Sequence, residues 1–556
     1  NGKCIKTPMK RESISFERIN NLYKMLKFSL PAVKEGTVIE YHYKLYSDYF
    51  SHIDNWMMQE ELPMLYNQYK ITIPHVFVYN IELRGKDYIQ VKQRDSSIHA
   101  TERDGSGAGG VSKDFTVSAQ ETTFISRNLP AIRQDESYCW CPEDYKVQVS
   151  FDLQGTQFTP NEYKPYSQKW EDVDHQLLKP ENTQFGKYLS LTNPFRPETK
   201  QAYNSEMNFE EKIICAFQVL KKKMAWNGRY QLYSKELEKV IKKGSGSNAD
   251  LNFILISILK DFGLEAYPVA MSRRSSGILP YNFPSLQKLN TFIVAVYDIT
   301  KQKYVFLDSS MAVPALNILP LDLAVNKARI LSLKEKEDKK WVNVMALSDN
   351  KSFMKIDARI EGNQVKGHRS TVLYGQEAIE YQANENHKQD NLVSNPENKV
   401  SQKEKLTFTN LKVKKQENDY ALIEEEFDFV LQADRTNDHL YINPMLFPQL
   451  KNNPFIQTER VLPIEFPYPY KFTMLSTLTL PEGYEVEELP QSQSIRSEGD
   501  GLQCKYMIQQ QGNTILLNYV FHLKGYIFLS EQYKQLQELW TKVIEKNNAL
   551  IVLKKI

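Results

Sequence analysis

Apolar and polar residues alternate strictly through Ile39-Glu40-Tyr41-His42-Tyr43-Lys44-Leu45, and again through Tyr145-Lys146-Val147-Gln148-Val149-Ser150-Phe151. A period of two puts every second side chain on one face, so both stretches read as half-buried antiparallel strands. Gly105-Ser106-Gly107-Ala108-Gly109-Gly110 supplies a loop signal between such runs, and a β-sandwich is the natural expectation for the first part of the chain. From about 165 to 275 the period lengthens to that of a helix. Ile213, Ile214, Phe217 and Leu220 fall on one face, and Ser234 is expected to cap a helix ending at Lys243, with Gly244 as its left-handed stop. The next helix is expected from near Asn248. Leu251, Ile254, Leu255, Ile258, Leu259 and Phe262 give it so wide an apolar stripe that it should be buried, and Gly263 should end it.

Strands are expected again at 291–297 and 304–307, which makes a helix-then-sheet unit of α+β type. Beyond about 335 the pattern is mostly β, with strands at 420–431 and 514–523. A last amphipathic helix after Ser530 carries Tyr533, Leu536, Trp540 and Val543 on one side. Residues 383–404 lack aromatics and are crowded with Asn, Gln, Lys, Glu and Ser, as in a solvated loop or linker. The chain shows no internal repeat. Three domains follow: 1–162, a β-sandwich expected to be incomplete at its N-terminus; 163–335, an α+β core; and 336–556, a β-rich domain with a helix near its end.

Composition narrows the function classes. The 556 residues, 41% of them hydrophobic, are too many for one core and enough for several. Seventy basic and 68 acidic side chains leave a net charge of +2, with no overall pull toward nucleic acid or an anionic membrane. The longest apolar runs, such as 253–259, are far short of the roughly 20 residues that span a bilayer. The opening Asn1-Gly2-Lys3 reads as mid-domain sequence, so an upstream segment with a leader is expected.

Five cysteines, at 4, 139, 141, 215 and 504, are too few and too scattered for a disulfide framework. On a strand, Cys139 and Cys141 would put both thiols on one face, where a metal or redox role is conceivable. No second Cys or His cluster lies nearby, and two small buried residues is the plainer reading. His42, His52, His75 and His99 have no ligand spacing, so neither a metal nor a cofactor is expected. Thirty-two tyrosines and six tryptophans could line a glycan- or peptide-binding face, although β-sandwich cores use the same residues.

One constellation has the frame of acyl-transfer chemistry. In cysteine enzymes the nucleophile sits at a helix N-terminus, where free N–H groups and the helix dipole favour the thiolate. A histidine activates it, and Asp or Asn orients the ring. Here Gly244-Ser245-Gly246-Ser247 leads into the buried helix at Asn248, a strand begins near Asn290, and another ends in Phe306-Leu307-Asp308-Ser309-Ser310.

The runs Gly246-Ser247-Asn248-Ala249-Asp250-Leu251-Asn252 and Leu259-Lys260-Asp261-Phe262-Gly263-Leu264-Glu265-Ala266-Tyr267-Pro268-Val269 resemble the core of the bacterial transglutaminase-like superfamily. The resemblance is closest to multidomain envelope proteins of the Bacteroides group. Their N-terminal β-rich domain of unknown function is matched by residues 27–41, 56–63 and 128–132. It implies a transglutaminase-like, papain-like α+β core between two β-sandwich domains, and residence in the periplasm or at the outer membrane. Carried over by position, the family's cysteine falls on Asn248, its histidine on or near Asn290, and its acidic member on Asp308.

An amide is neither nucleophile nor general base, so thiolate–imidazole chemistry has no actors at these positions. No histidine lies between His175 and His368, and Cys215 is the only cysteine between Cys141 and Cys504. Asn248 is expected to cap its helix, at about 1 kcal/mol relative to Ala, and Asp308 to form a turn. Cys215 reads as inert core. A serine route through Ser245 or Ser247 would need Lys243 as base. The expectation is therefore a non-catalytic transglutaminase-like envelope protein of binding or scaffolding type, with a peptide, protein or glycan in a vestigial cleft. The alternative is an active peptidase, amidase or acyl-transfer enzyme with a non-standard nucleophile.

Overall fold

The computed structural model describes residues 5–18, 24–44, 53–103, 112–134, 136–159, 162–165, 169–179, 183–234, 236–280, 284, 286–334, 336–391, 406–416 and 419–556. It is a strand-rich mixture of α and β structure that divides into two compact units, Asn1–Ile53 and Asp54–Ile556. The first unit, among its described residues, pairs Ile14–Arg18 antiparallel with Lys24–Phe28. Its alternating run at 39–44 is in no strand, contrary to expectation, and Leu45 lies outside the described residues. Alternation favours a strand only where a neighbouring strand takes up the backbone hydrogen bonds.

The second unit begins with two small sheets. Met64–Pro74, Ser112–Leu129 and Gln90–Arg103 form one; Trp56–Met57, Gln148–Thr159 and Phe77–Arg84 form the other, with Glu162–Pro165 added to its middle strand. They share a core that includes Met58, Phe124, Leu129, Val147 and Val149. The expected strand at 145–151 starts later, at Gln148, because Pro142–Tyr145 is a 3-10 turn with proline in its first positions. The glycine-rich run 105–110 lies outside the described residues.

The centre of the unit is a helix laid on a five-stranded antiparallel sheet. The strand order is Lys303–Leu307, Thr291–Asp298, Glu265–Met271, Ala328–Ile330, Trp341–Val342. Thr291–Asp298 is buried along nearly its whole length, and its apolar residues run on without alternation because both faces are covered. Phe292, Val294 and Val296 face the helix Asn248–Asp261; Ile293 and Ala295 face a second layer with Leu319, Leu323 and Val325. That helix is apolar on all sides because the sheet and the helices Phe209–Lys223, Gln184–Leu189 and Arg196–Ala202 surround it. On Phe209–Lys223, the buried residues include the four expected from the sequence.

One boundary of the helix before the central one differs from expectation, and the other agrees. The helix ending at Lys243 starts at Leu237 with Glu236 as N-cap, and the Ser234 hydroxyl is buried without a partner. Gly244 has the left-handed φ of 70° that stops this helix, and its N–H bonds back to the Val240 and Ile241 carbonyls.

The last region is built on an eight-stranded sheet and a four-stranded one. Lys351–Glu361 alternates buried and exposed residues along its length, as a strand covered on one face must. It pairs in parallel with Tyr470–Thr479, and this pair joins the strands before residue 432 to those after 470. Asp419–Gln432 and Thr514–Leu523 lie where the alternation puts them. The helix Tyr533–Asn547 buries Tyr533, Leu536, Trp540 and Val543 against the sheet. The expected loop over 383–404 is corrected in its first part: helix Gln376–Asn391 extends into it, because turns docked on the strands Gln364–Tyr374 and Asp419–Gln432 supply the nucleus from which a helix propagates. Residues 392–404 lie outside the described residues.

Candidate functional site

The approach to the central helix is set by two close contacts. A Cβ at Gly246 would lie 2.6 Å from Val240 Cγ1 and 2.8 Å from Asp250 Cβ, so only glycine fits there. Ser247, not Asn248, is the N-cap. Its hydroxyl accepts from the Asp250 N–H at 3.3 Å, while Asp250 Oδ2 accepts from the Ser247 N–H at 2.8 Å, closing a capping box. The same hydroxyl is buried and donates to Asp250 Oδ2 at 2.7 Å, while Lys243, the base expected for it, is exposed.

Asn248 is the first helical residue and is fully buried. Its side chain works across the fold. Oδ1 accepts from the Gln231 N–H at 2.9 Å, and Nδ2 donates to Thr291 Oγ1 at 2.7 Å and the Phe292 carbonyl at 3.1 Å. One turn on, Asn252 Nδ2 donates to the same carbonyl and to Asp308 Oδ2, both at 2.8 Å. Its Oδ1 accepts from the Ser309 N–H at 3.0 Å and from the Ser309 hydroxyl. Asp308 Oδ1 accepts from the Ser310 N–H at 2.9 Å and from the Ser310 hydroxyl.

Asp308 is buried, and desolvation raises its pKa although the bonds from Ser310 and Asn252 oppose the rise. Two further groups join the cluster. Lys221 Nζ donates to the Ser309 carbonyl at 2.8 Å, and burial brings its pKa down to about 8 against the opposing pull of Asp308. The Tyr230 hydroxyl lies 3.3 Å from Ser310 Oγ, and burial raises its pKa to about 12.

Of the three positions singled out in the sequence, Asn248 and Asp308 are therefore linked, through Asn252 and the Phe292 carbonyl. Asn290 is turned away. It is half-buried; its Oδ1 accepts from the Arg273 N–H at 3.1 Å, and its Nδ2 donates to Ser272 Oγ at 3.4 Å. The residue that meets Asn248 is the next one, Thr291.

Sequence reasoning missed Asn252, Thr291, Lys221 and Tyr230. For Asn252 a signal existed: Asn248 and Asn252 are four apart on an otherwise apolar helix, so they share a face, and buried amides require partners. For Lys221 and Tyr230 there was none, since both are brought to the centre from other elements.

Beside Asn290, Ser272 also lines a recess of about 80 Å³ whose walls include Trp140, Asp144, Arg274 and Glu465. Cys141 lines it too, and neither it nor Cys139 is on a strand. Burial raises both thiols, Cys139 to about 12, so neither is a ready thiolate. Cys215 donates to the Ala202 carbonyl from its half-buried place on the helix, and burial raises its pKa as well. His52 lies outside the described residues. Among the described residues no group of three His, Cys, Asp or Glu side chains could hold a metal ion, and no helix is long and apolar enough to cross a membrane.

Residues 438–553 match DUF3858, a domain of unknown function with a solved structure. No curated protein matches. Among solved structures, a "putative protease" from Parabacteroides distasonis is 12% identical, with a TM-score of 0.47 over 90% of this chain and 74% of that one. A "putative cysteine protease" from Cytophaga hutchinsonii is 9% identical, with a TM-score of 0.17 over 45% of this chain and 80% of that one. What is present in this chain is a DUF3858 domain, joined to a strand-rich α/β body whose central helix starts in a buried amide network.

Proposed function

We propose that this chain is a non-catalytic, transglutaminase-like protein of the cell envelope, with a binding or scaffolding role. In this reading it has three parts, 1–162, 163–335 and 336–556, and its ligand is an extended peptide, a protein segment or a glycan. One observation carries the proposal: every polar atom of the Asn248 side chain is consumed by bonds inside the protein. A position that holds a nucleophile must keep one atom open to substrate. Here the helix start works as a pin between helix and sheet, and recognition falls to the surface beside it.

A second reading, an acyl-transfer enzyme with a different nucleophile, has one observation in its favour. Ser310 is bonded to Asp308 and Tyr230, and the lowered amine of Lys221 belongs to the same cluster. Treatment with serine-directed and thiol-directed covalent probes, followed by peptide mass mapping, separates the two. The binding reading expects no specific label and no amide hydrolysis or amine incorporation. Stoichiometric labelling of Ser310, with activity lost in Asp308→Ala, would overturn it.

A further inference from the structure

The recess beside Asn290 contains a charge in an unusual position. Arg274 is nine-tenths buried, with its guanidinium 4.1 Å above the Trp140 ring. Nη1 donates to the Pro467 carbonyl at 2.9 Å and Nη2 to the Phe466 carbonyl at 3.2 Å. A guanidinium has five N–H donors in a planar fork, so donors remain after these two bonds.

No ion pair joins Arg274 to a carboxylate among the described residues; Glu465 and Asp322 act on it from a greater distance. The carboxylates on the wall are already engaged. Glu465 accepts from the Trp140 N–H and the Tyr145 hydroxyl, each at 2.8 Å, and Asp144 Oδ2 accepts from the Ile278 N–H at 2.7 Å. The cation is thus stacked and oriented but has no counter-ion in contact, an arrangement that costs stability.

Size and lining restrict what could supply that counter-ion. Small-molecule sites usually enclose ~300–1,000 Å³. This recess, at about 80 Å³, admits the end of a chain rather than a whole drug-sized molecule. Arg274 and the exposed Lys327 offset Asp144 and Glu465 around the recess, and the two wall carboxylates repel a dianion such as phosphate more strongly than a monoanion. Leu279, Val325 and Met345 are apolar, and Ile278 and Ile527 stand exposed at the rim, where a terminal side chain would lie.

We propose that this recess captures the C-terminal carboxylate of a peptide, with Arg274 as the fork that receives it and the apolar rim as the seat of the last side chain. The proposal rests on the binding reading above and names the ligand class for it. Planar bidentate recognition of a carboxylate is what an oriented arginine offers and a lysine does not.

The test uses the full chain and N-acetylated tripeptides ending in alanine, valine or leucine, each as free acid and as C-terminal amide, titrated by calorimetry. Free acids should bind at least tenfold more tightly than the matching amides, and Arg274→Gln should abolish the difference. Because Arg274 also holds the 466–467 backbone, a second variant keeps it intact. Ile278→Glu removes part of the apolar seat and puts a negative charge at the rim, so it should weaken both forms, and the free acids at least tenfold more than the amides. Equal affinity for acids and amides would overturn carboxylate capture and leave the peptide-binding reading standing. Absence of binding by either form would overturn the proposal and weaken that reading with it.

Discussion

Asn252 donates to the Phe292 carbonyl and to Asp308, and its own oxygen receives both the N–H and the hydroxyl of Ser309. Each buried group that loses its partner costs roughly 1–3 kcal/mol. Asn252→Leu is nearly isosteric and strands two or three of them, so the protein should lose about 3 kcal/mol, read as a lower urea midpoint. Ser247→Ala removes one exchangeable cap and should cost about 1 kcal/mol. If the two variants unfold at the same urea concentration, the amide network is not what pins the helix. This contrast also separates two jobs that the sequence assigns to one residue: Ser247 terminates the helix, and Asn248 ties it to strand Thr291–Asp298.

At the scale of elements, two polar contacts decide how helices dock. Arg329 and Asp174 are both fully buried, with Nε and Nη2 of the arginine each 2.7 Å from an Asp174 oxygen. Lys340 reaches Asp174 at 2.8 Å, and Glu337 takes the other side of the guanidinium. This fastens helix Trp170–Leu178 to the far edge of the central sheet. Removing one partner of a buried pair costs about 3–5 kcal/mol, so Asp174→Ala should destabilise by that amount in chemical denaturation. A change under 1 kcal/mol would show that the pair is not holding the helix.

The second contact is an acid pair at the start of helix Gln376–Asn391. The Tyr468 hydroxyl lies 2.9 Å from Glu377 Oε1 and 3.1 Å from Glu380 Oε1, and its single hydrogen can serve only one of them. Burial raises the pKa of both carboxyls above the usual carboxylate value, which favours a proton on the second. A raised folded-state pKa means that the native form binds the extra proton. Its contribution is complete below the unfolded carboxylate value and is lost as pH rises through the folded one. Hydrogen exchange of the first turn of this helix should therefore speed up as pH rises above the ordinary carboxylate range, after correction for intrinsic rates. Glu377→Gln should weaken the dependence and the double variant with Glu380→Gln should remove it; an unchanged profile in the double variant would contradict the assignment.

For the whole molecule, the DUF3858 match at 438–553 and the sheet do not share a boundary. Strand Tyr470–Thr479, inside the match, pairs along nine residues with Lys351–Glu361, outside it. Cutting at 438 would expose that strand's backbone as an open edge, which invites association. A fragment 438–556 should aggregate or fail to unfold cooperatively, whereas 349–556 should be monomeric with one unfolding transition. Scattering and urea denaturation of the two fragments measure this, and a monomeric, cooperative 438–556 fragment would show the shared sheet to be dispensable.

Periodicity alone determined the buried central helix, its glycine stop, the strands at 291–297 and 514–523 and the apolar face of the last helix. Burial on one face or on all sides leaves its period in the chain. The sequence also drew attention to the start of the helix at Ser247-Asn248, as a local matter of glycine, cap and apolar run. Only the tertiary structure decided what Asn248, Asn252 and Asp308 do, because hydrogen-bond partners of buried amides come from segments tens of residues away and no local spacing encodes them. The same holds for Asn290, which faces Ser272 and Arg273, and for Arg274, whose two carbonyl partners lie nearly two hundred residues on. Period is a property of neighbours along the chain, whereas a buried polar contact is a property of neighbours in space.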